Sequence, residues 1–307
     1  MVYNWLKFTF ISSFFICAVS LAQNLEETKR GKNDFVEQSI KELDKAKQYK
    51  IKTRLRYAGF FDADGTTPHE KVLVEKLTFD TAGKRKELIR YVGDELVDIK
   101  YSFLYDAKGR LSKMETRNSG NFLTGTRESK YDKAGNEIER RLFDKRRGNM
   151  RVVFSYDKEG NIIQSLNYDK NEKMIGRYEN SFENGNAKKT TVYDNNGNVQ
   201  REIWFIYNSE GKLSREDFKD LSNSYSISYS YDLQGNITEV VTPQTKRIVS
   251  YDLNNNILED KMFTEDGIRQ YRVVFSYLEN GLQNDETRYD NTDKAAFQAQ
   301  YKYEFYK

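Results

Sequence analysis

Histidine, proline and cysteine are nearly missing from this chain: its 307 residues include one His, two Pro and one Cys. The cysteine, Cys17, lies near the start, so the remainder can form no disulfide and must hold itself together by packing and strand pairing. With His69 the sole histidine and no cysteine near it in sequence, Cys–His catalysis and the usual zinc sites are excluded. No phosphate-cradling Gly loop or dinucleotide fingerprint is present. Beyond the first residues no 20-residue apolar run occurs, which excludes a helical membrane span. An excess of one charge is missing too. Fifty Lys and Arg stand against 47 Asp and Glu, for a net charge of +3, without the concentrated basic patch that nucleic-acid binding requires. The expectation is therefore a protein without enzymatic activity, cofactor, metal or nucleic-acid partner.

Residues 1–22 read as a signal peptide. Lys7 supplies the positive region, Phe8 to Val19 form a short apolar core, and Ser20-Leu21-Ala22 offers small residues for cleavage before Gln23. A lipid anchor on Cys17 is disfavoured, because Ile16 precedes it where a small residue is needed. The expected location is outside the cytoplasm, in the periplasm, on the surface or in the medium of a Gram-negative bacterium. Residues 23–50 hold a polar start and one amphipathic helix over Asp34–Gln48. Val36, Ile40, Leu43 and Lys47 fall on one of its faces and Asn33 is its N-cap. Repeat arrays need capping, so this helix is expected to lie over one end of the strands that succeed it.

Residues 51–307 form a repeat. From Phe79 on, an aromatic residue, then Asp or Asn, two free positions, then Gly or Asn occurs eight times, beginning at Phe79, Tyr105, Tyr131, Tyr156, Tyr193, Tyr207, Tyr231 and Tyr251. The turn positions are Asp80 and Gly83, Asp106 and Gly109, Asp132 and Gly135, Asp157 and Gly160, Asp194 and Gly197, Asn208 and Gly211, Asp232 and Gly235, and Asp252 and Asn255. An Asp opening the turn and a left-handed residue closing it describe a type I turn with a G1 bulge, a common hairpin connection. The flanks pair an aromatic with an aliphatic residue: Tyr156 with Ile162, Tyr231 with Ile237, Tyr193 with Val199, Tyr105 with Leu111, and, one step out of register, Tyr131 with Ile138. Successive copies lie 26, 26, 25, 37, 14, 24 and 20 residues apart, a pitch near 25 with one copy displaced by half a pitch.

Between the turns the period is two. Ile99, Tyr101, Phe103 and Tyr105 form one apolar row, and Met150, Val152, Phe154 and Tyr156 another. The same alternation recurs at Tyr225, Ile227, Tyr229 and Tyr231, and at Tyr271, Val273, Phe275 and Tyr277. That is the pattern of a half-buried antiparallel sheet. About twenty strands fit, more than an open twisted sheet usually carries. The fold class expected is all-β: an antiparallel meander of tandem hairpin repeats, curled into a spiral or shell-like sheet, with one short N-terminal helix. Ala58–Glu70, Pro243 and Asn284–Lys294 are read as loops.

The strings Tyr-Asp-Ala-Lys-Gly-Arg-Leu at Tyr105, Tyr-Asp-Lys-Ala-Gly-Asn at Tyr131 and Tyr-Asp-Leu-Gln-Gly-Asn at Tyr231 resemble the YD repeats of rearrangement-hotspot (Rhs) and wall-associated proteins. The resemblance extends from Phe79 to Tyr289 and implies a continuous β-strip wound into a spiral or hollow shell. Such shells often enclose a C-terminal toxin. This sequence lacks the Asp-Pro-x-Gly-Leu boundary motif and ends at Lys307, so toxin delivery is not carried over.

Few residues invite a chemical role. Asp62-Ala-Asp64-Gly65 and Asp194–Asn198 echo fragments of calcium loops but lack the closing bidentate Glu, and they are read as turns. Trp204 alternates with Arg201, Ile203 and Phe205 and so belongs to the outer face, where an aromatic can stack on sugar or anchor a protein; the plainer reading packs it under a loop. The leading expectation is an exported scaffold or binding surface in the cell envelope whose partner, a protein or a glycan, the residues do not name. Its rivals are a glycan-binding adhesive protein and an outer-membrane β-barrel. The barrel is disfavoured because Arg140 falls between Ile138 and Leu142, and Glu259 and Lys261 between Ile257 and Phe263.

Overall fold

A computed structural model describes residues 34–93 and 96–307. The signal peptide, Cys17, the polar start and the Asn33 cap lie outside the described residues, as do the side chains of Val36 and Ile40. Helix α1 (Asp34–Gln48) leads into twenty strands: β1 (Ile51–Phe60), β2 (Val72–Phe79), β3 (Arg85–Tyr91), β4 (Val97–Tyr105), β5 (Leu111–Asn118), β6 (Leu123–Tyr131), β7 (Glu137–Asp144), β8 (Gly148–Tyr156), β9 (Ile162–Tyr168), β10 (Met174–Glu183), β11 (Asn186–Asp194), β12 (Val199–Tyr207), β13 (Leu213–Asp220), β14 (Ser224–Tyr231), β15 (Ile237–Val241), β16 (Thr245–Tyr251), β17 (Ile257–Thr264), β18 (Arg269–Tyr277), β19 (Gln283–Tyr289) and β20 (Ala295–Phe305). Each strand pairs antiparallel with the next, and β20 pairs antiparallel with β1 over nine residue pairs from Ile51↔Phe305 to Phe60↔Phe297. The shell-like sheet is thus a closed meander barrel. Closure removes the free edges that would recruit other chains.

Two of the expected loops shrink. β1 runs on to Phe60, so the first interruption is 61–71, and β19 occupies Gln283–Tyr289. The β19 segment reads as a loop because Glu286 and Arg288 stand where apolar residues are expected. Both face inward: Glu286 pairs with Arg56, and the guanidinium of Arg288 lies 4.5 Å from the Tyr271 ring centroid.

An antiparallel meander sends alternate turns to opposite rims. Phe79, Tyr105, Tyr131, Tyr156, Tyr207, Tyr231 and Tyr251 all end strands at one rim, whereas Tyr193 precedes the β11–β12 turn at the other. The copy absent from the first rim is Phe182-Glu183-Asn184-Gly185, whose two-residue turn has φ of +52° at Asn184 and +79° at Gly185. That is the I′ geometry of a tight hairpin. With Phe182 in place the steps are 26 before it and 25 after it, and the steps of 37 and 14 disappear.

Every motif hairpin carries a bulge just after its turn. Tyr105 pairs Leu111 while Leu104 pairs Lys113, leaving Ser112 unpaired; Ile138, Ile163, Ser214, Thr238, Leu258 and Asn284 are its equivalents. One extra residue flips the alternation beyond it. Tyr131 therefore pairs Glu137 rather than Ile138, and Arg140, whose side chain is 1% exposed, joins Glu137 on the inner face. Ile257 faces inward, while Glu259 and Lys261 beyond the Leu258 bulge face outward. Glu259 and Lys261 thus leave the inner row uninterrupted, contrary to the sequence reading, whereas Arg140, paired with the buried Val152, does stand in it beside Leu142.

Where strand pairing stops short of the rim, tyrosine takes over. The hydroxyls of Tyr105, Tyr131, Tyr156, Tyr231, Tyr251, Tyr277 and Tyr303 donate to the carbonyls of Arg85, Leu111, Glu137, Leu213, Ile237, Ile257 and Gln283, at 2.7–2.9 Å. Each bond ties one hairpin to its predecessor. Phe182 has no hydroxyl, and Asn180 on the same strand donates instead to Ile162 O at 2.8 Å. Tyr156→Phe is expected to cost about 1 kcal/mol, the usual net worth of one such bond. Urea unfolding of Tyr156→Phe beside Phe182→Tyr reads it; equal stability of wild type and Tyr156→Phe would contradict the role given to the hydroxyl.

Helix α1 lies across the rim at the seam where β20 meets β1. Ala46 is buried with Ile51, Leu77, Phe79 and Leu282, and Leu43 and Tyr49 pack beside them. Glu42 joins Arg54 and Arg85; Lys41 donates to Asn255 O at 3.2 Å and Lys45 to Asn256 Oδ1 at 3.0 Å. The helix thus clasps turns on both sides of the closure.

Candidate functional site

The motif turns, the inner wall and the outer wall are the three places where side chains converge. At the turns the eight closing residues all have positive φ, from +60° at Asn255 to +103° at Gly135. In the first, Gly83 N–H donates to Asp80 O at 3.0 Å, and Asp80 Oδ1 accepts from the backbone of Ala82 and Lys84 at 2.9 Å each. Asn208 makes the same two bonds to Glu210 and Lys212, so one side-chain oxygen at that position suffices. Asp106, Asp132, Asp157, Asp232 and Asp252 repeat the pattern on the first rim, and Asp194 with Gly197 does so on the opposite rim. Asn255 replaces glycine where its side chain has a partner: Asn236 donates to its Oδ1 at 2.8 Å.

The calcium reading has little room. Asp194 Oδ1 accepts from Asn196 and Asn198 N–H, and Oδ2 from the side chains of Asn198 and Gln200. In the 61–71 loop Asp64 accepts from Thr66 N–H, and His69 Nε2 lies 2.6 Å from Asp62 Oδ1 with both side chains about half exposed. No third catalytic partner is placed with this pair among the described hydrogen bonds.

The turn hydrogen bonds have a titration consequence. Backbone N–H groups from Arg110 and Asn136 hold Asp106 and Asp132 below the ordinary carboxylate value, and the Asn198 side chain does the same for Asp194. Burial opposes ionisation of Asp157, Asp232 and Asp252, but the bonds from Asn161, Asn236 and Asn256 outweigh it. A depressed folded-state pKa gives stability that is present above the unfolded value, about 3.9 for Asp, and is lost as pH falls through the folded value. The melting temperature is therefore expected to drop steeply below about pH 4. Asp132→Asn/Asp157→Asn should flatten that limb; an unchanged acid limb would contradict the assignment.

Every inward-facing cation on the described strands is an arginine, which suits a confined wall because guanidinium stacks on aromatic rings and grips carboxylates with two bonds. Arg54 bonds Glu75 at 2.8 Å, Arg247 holds Asp260 through two bonds of 3.0 Å, and Arg140 binds Glu137 while its guanidinium lies 5.2 Å from the Phe154 centroid. Burial opposes the charge on Glu137, yet the bond and charge of Arg140, with Arg127 at 3.3 Å, keep its carboxyl below the usual range. Burial pushes the Tyr303 phenol up to about 12. These groups hold the wall together, and sequence reasoning missed them because the bulges reverse the apparent faces.

Outside, the rows are mainly polar, with scattered exposed apolar residues such as Leu104, Phe143 and Ile248. On β5–β8 the outer residues include Lys113, Glu115, Glu128, Lys130, Glu139 and Arg151, linked by Lys113–Glu115, Lys113–Glu128 and Lys130–Glu139 pairs at 2.9–3.3 Å. Trp204 stands on this wall between Lys189 of β11 and Asp217 of β13. Its partner is not a loop: Lys189 Nζ lies 5.0 Å from the indole centroid. Beside it an open groove of about 680 Å³ is lined by Trp204, Ile206, Arg215, Asp217, Lys219 and Ser226, among others.

Among curated proteins none matches the chain. Among solved structures it is similar to a porin-like protein from Bacteroides uniformis, at 12% identity over 82% of this chain and 97% of that one, with a TM-score of 0.38. It is also similar to TcdB2-TccC3 without its hypervariable C-terminal region, at 9% identity over 78% of this chain and 15% of that one, TM-score 0.32. A porin-like protein from Bacteroides vulgatus is similar at 13% identity over 81% and 97% of the two chains, TM-score 0.24. At these scores none of the three carries an argument about this chain. The family model of the teneurin YD-shell matches residues 66–224, more than half of the sequence and five of its motif turns at the first rim. With the phased turns, the tyrosine stitches and the continuous β-strip, that match means that this chain belongs to the teneurin YD-shell family.

Proposed function

We propose that the chain is exported and acts, without catalysis, as a scaffold in the bacterial envelope whose outer wall is its binding surface. The polarity of that wall carries the reading. A barrel immersed in lipid turns apolar residues outward and polar ones inward, and a Lys or Arg at mid-bilayer costs about 2–4 kcal/mol. Here the order is reversed: Val152, Phe154, Ile203 and Phe205 are buried on the inner face, and the middle of the outer wall bears Lys–Glu pairs. A sheet closed by its own seam and stapled by tyrosines along one rim presents those outer rows rigidly, as a scaffold requires. The leader at residues 1–22 supports export.

Cell fractionation with protease treatment of intact cells tests this. Release into buffer without detergent is expected, either protected from protease as a periplasmic scaffold or digested on the cell as a surface protein. Retention in the membrane until detergent is added would overturn the reading.

A further inference from the structure

We propose that the rim opposite α1 is a self-association surface, on which a second copy of this chain docks rim to rim about a two-fold axis. Among the described residues, large apolar side chains more than half exposed occur only at the two rims. Leu233 and Leu253 stand at the rim that α1 crosses, and Val92, Leu96, Phe122, Leu221 and Ile268 at the other. No described helix crosses that second rim.

Ten turns make up the second rim, and closure of the barrel fixes their order round a ring. Charge is sorted along it. The neighbouring turns 145–147 and 169–173 carry five cations, Lys145, Arg146, Arg147, Lys170 and Lys173, against Asp169 and Glu172. Both acids are engaged: Asp169 accepts from the backbone of Asn171 and Lys173, and Glu172 pairs with Arg151. None of the five cations has an ion pair among the described residues. Across the ring the turns 290–294 and 61–71 lie side by side, where Gly65 abuts Lys294. They reverse the ratio, with Asp62, Asp64, Glu70, Asp290 and Asp293 against Lys71 and Lys294.

Matched and opposite sorting is what a two-fold interface needs, because the same patch serves both copies and every contact occurs twice. Consider an axis in the plane of the rim that passes between the 92–96 and 119–122 turns. It lays 145–147 on the 61–71 turn of the copy, and 169–173 on its 290–294 turn. The same axis sets Phe122 against Val92 and Leu96 of the copy, and Leu221 against its Pro243. Glu265 and Asp266 meet the uncharged 195–198 turn. The apolar tips thus fall on the axis, where the dry core of an interface belongs, with the charged turns to either side. A flat anionic membrane fits this ring less well, since it would attract one arc and repel the other. Docking here leaves α1 and both outer walls free, so it stands apart from the role given to the wall.

Light scattering after size-exclusion chromatography of the purified chain tests the proposal. A dimer is expected, weakening as salt is raised. Lys145→Glu/Arg146→Glu/Arg147→Glu makes both arcs acidic, and Asp62→Lys/Asp64→Lys/Glu70→Lys makes both basic. Each variant alone should dimerise about tenfold or more weakly than wild type, because like charges then face each other. Mixed in equal amounts the two should pair with each other, a restoration that damage to the fold would not produce. A wild-type chain that stays monomeric at every concentration would overturn the proposal. So would a dimer indifferent to both sets of substitutions, or a mixture of the two variants that fails to pair.

Discussion

Arg140→Met is expected to lower stability by about 3–5 kcal/mol, the cost of breaking a buried ion pair from one side. Arg140 is 1% exposed and Glu137 7%, so solvent screens neither. Removing the guanidinium leaves a carboxylate that burial already disfavours, with Arg127 as its remaining cation. The loss should shrink as pH falls, because a buried Glu137 without Arg140 takes up a proton more readily. The double variant Glu137→Ile/Arg140→Met behaves differently. Leu111, Ile162, Leu213, Ile237 and Ile257 occupy the position of Glu137 in other repeats, each opposite the motif aromatic. Restoring that aliphatic residue removes the charge and its desolvation cost together, so the double variant is expected within about 1 kcal/mol of wild type. A urea double-mutant cycle measures the difference. A mild Arg140→Met, or a double variant as unstable as the single, would show that the pair does not hold this part of the wall.

Gly83→Val and Gly211→Val separate the cost of a turn from the cost of the clasp. Both residues have φ near +77°, so each substitution forces a β-branched side chain into a left-handed conformation, at about 1–2 kcal/mol. Around Gly211 nothing lies within 4 Å of an added Cβ, and that cost is the whole effect. At Gly83 an added Cβ would sit 2.7 Å from Lys47 N and 2.8 Å from its Cα, against the backbone of α1. The helix must move, releasing Ala46 and Leu43 from Leu77, Phe79 and Leu282, for a further loss of about 2 kcal/mol. Gly83→Val should also open trypsin sites at Lys41, Lys45 and Lys47, which Gly211→Val leaves closed. Equal melting temperatures and equal digestion would mean that the helix is not seated on that turn.

Much of this fold is legible in the residues alone. Asp at the start of each turn and Gly at its end state the hairpin chemistry, and the pitch near 25 gives about twenty strands. Asp34–Gln48 reads as a helix from periodicity alone. Three features are not legible, each for a physical reason. The Phe182 copy uses a two-residue turn, so the five-residue motif passes over it and Tyr193 looks like its displaced neighbour. The bulge after each motif turn moves every later residue of that strand to the other face, which puts Glu259 and Lys261 on the wrong side. Glu286 and Arg288 make a strand look like a loop, because their partners, Arg56 and Tyr271, are 230 and 17 residues away in sequence. The outer groove is harder still: Trp204 is visible as a residue, but the low floor beside it appears only when β14 is paired to β13.

Closure of the barrel is the central claim, and the seam tests it. Leu55 of β1 and Lys302 of β20 are directly paired, with both side chains on the outer wall. Opposed residues of antiparallel strands have Cα atoms about 4.5–5.5 Å apart, within the span of a disulfide. In a Cys17→Ser background, Leu55→Cys/Lys302→Cys should oxidise within one chain, at any protein concentration, and run faster on a non-reducing gel. An open spiral would hold these residues apart. Free thiols in the monomer, or disulfide-linked dimers that increase with concentration, would contradict the closed seam.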